Sequence, residues 1–245
     1  MLDWIKTQFD PAARAQRSFD KLTAKLVSKN FQHEDRMAAL AVLAEMDTPA
    51  ATAALFRRWD SVADKDREDR TEKEYLAEIL VEKGPKMLDA LRRHNERSVN
   101  VTWPIQVLRR VASEQQVVDE LLRVLALEGG RLASFKPEKK VHLLRLLKDH
   151  QDPRVPGAVS PFLGDFDEGV RHDAAELLGR QGDEASDEAL AQRLLHPEED
   201  SARVIGAIVA ALAARAWSVG ARREAVQARL SLGWAISGEG HLVRP

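Results

Sequence analysis

The 245-residue chain has no cysteine. That excludes disulfides and every form of thiolate chemistry. No run of apolar residues approaches the ~18 that a membrane span requires, and Met1–Arg17 lacks the basic-then-apolar layout of a leader. Glycine and proline are few, at 13 and 10. There is no glycine-rich phosphate loop, no His-Glu-x-x-His and no Gly-x-Ser-x-Gly. The formal net charge is −2, so the chain as a whole exerts no attraction on nucleic acid. A cytoplasmic location and no bound cofactor are the expectations these absences leave.

What the chain does have is a repeated pattern, clearest in Val170–Leu195. Val170, Ala174, Ala175, Leu177 and Leu178 recur at helical spacing, which predicts one apolar face and a polar face carrying Arg171, Asp173, Glu176 and Arg180. Gly182 follows at the place where a left-handed C′ residue is expected. Asp183 reads as an N-cap, and Ala189, Leu190, Leu194 and Leu195 form the stripe of a second helix. Helices this short are unstable alone, and a pair still leaves an apolar side uncovered. Such a unit must stack on neighbours.

Copies of the unit run along most of the chain. Arg36–Trp59 lies over Arg171–Leu194 without a gap, setting Arg36 on Arg171, Ala39 on Ala174, Val42 and Leu43 on Leu177 and Leu178, and Trp59 on Leu194. Lys140–Leu163 also fits ungapped, with Asp152 on Asp183. Looser copies occupy Lys73–Arg93, Trp103–Leu125 and Arg203–Leu230, at a step of roughly 31–37 residues. The stretch from Val170 to Gly179, followed by Gly182 and Asp183, resembles the short HEAT repeat of bacterial proteins, and the likeness covers residues 31–215 or so. That resemblance implies an all-α fold, a right-handed α-α superhelix of about six to seven helix pairs. It says almost nothing about activity.

The expected organisation is an N-terminal helical cap over 1–30, a repeat array over 31–230 and a tail over 231–245. Met1–Phe9 sets Leu2, Ile5 and Phe9 on one helical face, which suits a cap over the first repeat. Asp10-Pro11 and Thr48-Pro49 are helix starts, Gly84-Pro85 ends one helix and opens the next, and Pro161 should kink its helix. The charged stretch Ser61–Lys73 reads as a solvated loop or helix extension. Thr71–Glu74 and Ser113–Gln116 fit capping boxes. After Arg229 the pattern fades into a short apolar patch, Leu232, Trp234 and Ile236, and a loose end.

Charge is unevenly spread. Residues 1–85 hold 14 Lys and Arg against 16 Asp and Glu, 86–150 hold 13 against 8, and 151–245 hold 10 against 15. The basic middle contains Arg92, Arg93, Arg97, Arg109, Arg110, Arg123, Arg131, Lys136, Lys139, Lys140, Arg145 and Lys148. Periodicity does not say which side of an array these occupy. The second helices of HEAT arrays line the concave side, so the resemblance nominates Arg57, Arg58, Arg92, Arg93, Arg123 and Arg193 as a contact row. The expected function is therefore a non-catalytic scaffold that binds a protein or peptide.

Two alternatives come from other solenoids. Some HEAT-like proteins are DNA glycosylases for alkylated bases, and Trp103 with the pair Trp59-Asp60 beside Arg57 and Arg58 would suit such a role. Trp59, however, falls on an apolar helix position, and the near-neutral total disfavours DNA. Metal-dependent HEAT-repeat hydroxylases use repeated His-Glu pairs. Here His172-Asp173 has no counterpart at Met37-Ala38 or Val141-His142, and His33-Glu34 is out of register, so no metal site is expected. A bilin-lyase-like activity rests on fold analogy alone.

Overall fold

A computed structural model describes residues 10–129, 137–231 and 233–244. The proposed cap Met1–Phe9, together with Arg131, Lys136 and Leu232, lies outside the described residues. The described chain is almost wholly helical: α1 (Pro11–Val27), α2 (His33–Glu45), α3 (Pro49–Phe56), α4 (Asp66–Lys83), α5 (Leu88–Arg97), α6 (Thr102–Val111), α7 (Glu114–Gly129), α8 (Glu138–Leu147), α9 (Val155–Val159), α10 (Glu168–Gln181), α11 (Glu184–Leu194), α12 (Ala202–Ala214) and α13 (Arg223–Gln227). No helix among these residues is long and apolar enough to cross a membrane.

Side-chain caps set many of the starts. Asp10 Oδ1 accepts from the Ala12 amide at 2.9 Å, Thr48 Oγ1 from Ala51 at 3.2 Å, Asp167 Oδ1 from Val170 at 3.0 Å and Asp183 Oδ1 from Ser186 at 2.8 Å. Ser113 and Gln116 make the expected reciprocal box, at 2.9 and 3.3 Å. Gly84 closes α4 with φ of +57°, a conformation open to glycine at no steric cost. Pro161 sits where α9 tightens into a 3₁₀ turn, Ser160–Gly164.

Contacts gather the chain into two compact units, Met1–Val117 and Val118–Pro245. Both are built the same way. In the first, α2 packs on α4 and α4 on α6, while α3 packs on α5. In the second, α8 packs on α10 and α10 on α12, while the turn after α9 packs on α11. Alternate helices thus form two layers, with Leu40, Leu43, Leu55, Leu76 and Leu80 buried between them in the first unit and Leu143, Leu147, Leu177, Leu178 and Leu212 in the second. Each such leucine contributes about 1.5–3 kcal/mol through burial.

Four sequence expectations need correction. Gly182 is extended, with φ of −68°, and is needed for room: a Cβ there would lie 2.4 Å from the Leu178 carbonyl oxygen. Thr71 does not open a helix, because α4 starts five residues earlier and the Thr71 hydroxyl donates back to the Arg67 carbonyl. The C-terminal tail is not loose. Ala235–Ile236 (β1) pairs antiparallel with Leu242–Val243 (β2), the Val219 amide donates to the Gly240 carbonyl at 2.9 Å, and Leu242 is buried. Glycines at φ of +89° at 233 and 240 permit the turns this hairpin requires. Finally, Arg36, Arg171 and Asp173 leave the polar face and are buried.

Candidate functional site

Which cations can meet a partner depends first on which are consumed inside the fold. Arg36 on α2 and Arg58 in the turn after α3 converge on Glu72 of α4. Arg36 donates from Nη2 at 2.8 Å and Arg58 from Nε at 2.8 Å, and all three side chains are almost fully buried. Arg58 also reaches Asp69 at 2.6 Å and the Ser61 carbonyl at 3.0 Å. His33 adds Nδ1 to Glu72 at 2.8 Å. Burial alone would push the Glu72 carboxyl up. The hydrogen bonds from Arg36, His33 and Arg58 outweigh it and hold the group below its ordinary range.

The same clasp recurs in the second unit. Arg171 and Arg193, the sequence equivalents of Arg36 and Arg58, converge on Glu199 at 2.8 and 2.7 Å, and Arg171 also donates to the Asp165 and Phe166 carbonyls. At Glu199 too, burial raises the carboxyl and the bonds from Arg171, Arg193 and the Ser201 amide reverse it. In the Lys140 copy the first arginine is Lys140, paired with Asp165 at 2.7 Å. The second is replaced by Phe162, whose ring centroid lies 6.0 Å from Lys140 Nζ.

The nominated row is corrected accordingly. Arg58 is wholly internal. Arg193 is tied to Glu199, and Arg123 donates to Glu120 on its own helix at 2.9 Å. Arg92 is exposed but stands outside the cavity that its neighbour lines. Arg57 and Arg93 remain, and the structure brings them together with Arg97.

These three exposed arginines line a cavity of about 350 Å³ between α1, α3 and α5. Ala50, Ala53 and Ala54 on α3 and Arg57 in the turn that follows it stand at i, i+3, i+4 and i+7, as do Ala90, Arg93, His94 and Arg97 on α5. Alanines, Phe19 and Thr23 line it beside the three guanidinium groups. Among the described residues none of Arg57, Arg93 and Arg97 meets a hydrogen-bond or ion-pair partner. The carboxylate in the wall is Asp60, which accepts from Ser98 Oγ at 2.5 Å and lies 3.7 Å from His94 Nδ1. Arg97 and Asp60 also line a second cavity of about 410 Å³, whose walls include Trp59, Val62 and Asn100. The two cavities therefore adjoin.

Other candidate chemistry resolves differently. Trp59 is buried, stacked on Trp103 at 6.4 Å between ring centroids and edge-on to Phe56 at 5.3 Å, so it is packed rather than presented to a base. A larger cavity, about 570 Å³, lies between α4 and α6, but its cationic residues are matched. Arg70 pairs with Glu74 at 2.8 Å and Arg110 with Glu78 at 2.6 Å. His172, Asp173 and Glu176 bring ligand-type atoms within 4.8 Å of one another. Lys148 Nζ already sits 2.7 Å from Asp173 and 2.5 Å from Glu176, and Arg145 lies 3.0 Å from Asp173. The His172 imidazole is held below its usual pKa by burial and by Arg203. The fold itself supplies the positive charge that a metal would bring.

Comparison with known proteins returned no matching family model, no matching curated protein and no matching solved structure.

Proposed function

We propose that the protein is a non-catalytic scaffold which holds a protein or peptide partner on the second-helix face of its N-terminal unit. One observation carries this reading: Arg57 and Arg93, from successive second helices, meet with Arg97 around one cavity and have no partner among the described residues. An arginine at a helix surface that is left unpaired is a ready donor for an acceptor from outside. The chain is, on this reading, a short-HEAT array wound as a right-handed superhelix. Support comes from the alternate packing of helices within each unit and from the clasp repeated at equivalent positions.

The test is affinity capture from the native cell with the intact chain and with Arg57→Glu/Arg93→Glu. Proteins recovered with the first and lost with the second are the expected result. Identical recovery with both discards the reading.

A further inference from the structure

The two adjoining cavities of the N-terminal unit form one trough, because Arg97 and Asp60 belong to the walls of both. Its cationic groups outnumber its carboxylates: Arg57, Arg93 and Arg97 lack partners among the described residues, while Asp60 is engaged by Ser98. Lys73, in the second cavity, is neutralised by Asp69 at 2.7 Å. Apolar surface alternates with this charge. Alanines and Phe19 line the first cavity, and Val62, 68% exposed, lines the second. A large aliphatic side chain left so open next to a cationic cavity gains from being covered.

We infer that this trough takes an extended acidic segment of a partner protein, whose carboxylates meet Arg57, Arg93 and Arg97 while an apolar side chain rests against the lining alanines or Val62. The inference rests on the binding role proposed above and specifies its chemistry. Charge complementarity selects an anion, and the distribution of the cations along a trough suits several carboxylates on one strand better than a single ion. The volume selects a peptide: about 350 Å³ and 410 Å³ admit a few side chains each, whereas a duplex backbone is convex and broad.

Fluorescence anisotropy with the full chain tests the inference. The probe is a short fluorescein-labelled peptide in which glutamates flank a central leucine, compared with a twin carrying glutamine for glutamate and with a labelled DNA duplex. The glutamate peptide should bind at least about tenfold more tightly than its twin, and added salt should weaken it. Arg93→Glu/Arg97→Glu should abolish this binding, and Arg93→Gln/Arg97→Gln should weaken it. Arg180→Glu, at an exposed arginine of the other unit, should leave it unchanged. Equal affinity for the glutamine twin overturns the inference, as does unchanged binding in the charge-reversed variant or tighter binding of the duplex through the same arginines. Unchanged thermal melting shows that the variants are folded. If arginine reversal removes captured partners while the glutamate peptide fails to bind, the binding role stands and its acidic-peptide chemistry falls. If neither responds, both fall.

Discussion

The two units share a clasp and differ in what they do with the rest of their charge. In the first, Arg36 and Arg58 close on Glu72; in the second, Arg171 and Arg193 close on Glu199. Beyond the clasp, the second unit spends its cations internally. Lys139 meets Glu128, Lys140 meets Asp165, Arg145 and Lys148 meet Asp173, Arg215 meets Asp187 and Arg222 meets Glu188, with Arg180 the exception among the described arginines. The first unit instead leaves Arg57, Arg93 and Arg97 around an open cavity. Two segments can therefore carry the same stabilising ion cluster and still differ in which of their other cations stay exposed. Even the adjacent residues Arg57 and Arg58 divide, the first exposed and the second buried.

The clasp gives the sharpest way to break this comparison. Glu72→Ala leaves two buried guanidinium groups without their acceptor and should destabilise the protein by about 3–5 kcal/mol. Glu199→Ala should do the same in the other unit, so chemical denaturation of both variants checks their equivalence. If only one matters, the clasps are not counterparts. Next in size is Lys148→Ala, which leaves buried Asp173 with Arg145 alone and should cost about 1–3 kcal/mol.

Acid provides a third probe. The folded-state pKa values of Glu72 and Glu199 lie below the ordinary glutamate value of about 4.3. Their contribution is therefore complete above that value and is lost as pH falls through the lowered folded values. The melting temperature should drop as pH falls below about 4.3, with a shallower drop in Glu72→Gln. Smallest of all should be the effect on folding of Arg57→Glu or Arg93→Glu, within about 0.5 kcal/mol, since neither arginine has a partner among the described residues. A larger loss by denaturant melts would mean that the cavity arginines are structural after all.

Much of the fold could be read directly. The ungapped match of Arg36–Trp59 to Arg171–Leu194 places real equivalents together, down to Trp59 taking the buried position of Leu194. The caps at Asp10, Thr48, Ser113 and Asp183 are local, and local signals survive folding. The clasp was hidden for two reasons. A hydropathy pattern scores a buried paired arginine as it scores a solvated one. The acceptor carboxylates also lie out of register, 36 residues beyond Arg36 but 28 beyond Arg171, because the connections differ in length. The tail hairpin was missed because two-residue strands carry no period to detect. Of the nominated row, Arg57, Arg92 and Arg93 are exposed, whereas Arg58 is buried and Arg123 and Arg193 are tied to Glu120 and Glu199, a distinction that periodicity does not carry.

By itself the chain's order of residues determined that short amphipathic helices would form, where most of them begin, and that their apolar faces must be covered by other helices, since such helices are unstable alone. Only the tertiary structure decided which charges face inward. That choice turns on whether a carboxylate from a distant helix arrives within hydrogen-bonding reach, and desolvation makes burial tolerable for the arginines that receive one and leaves the others at the surface.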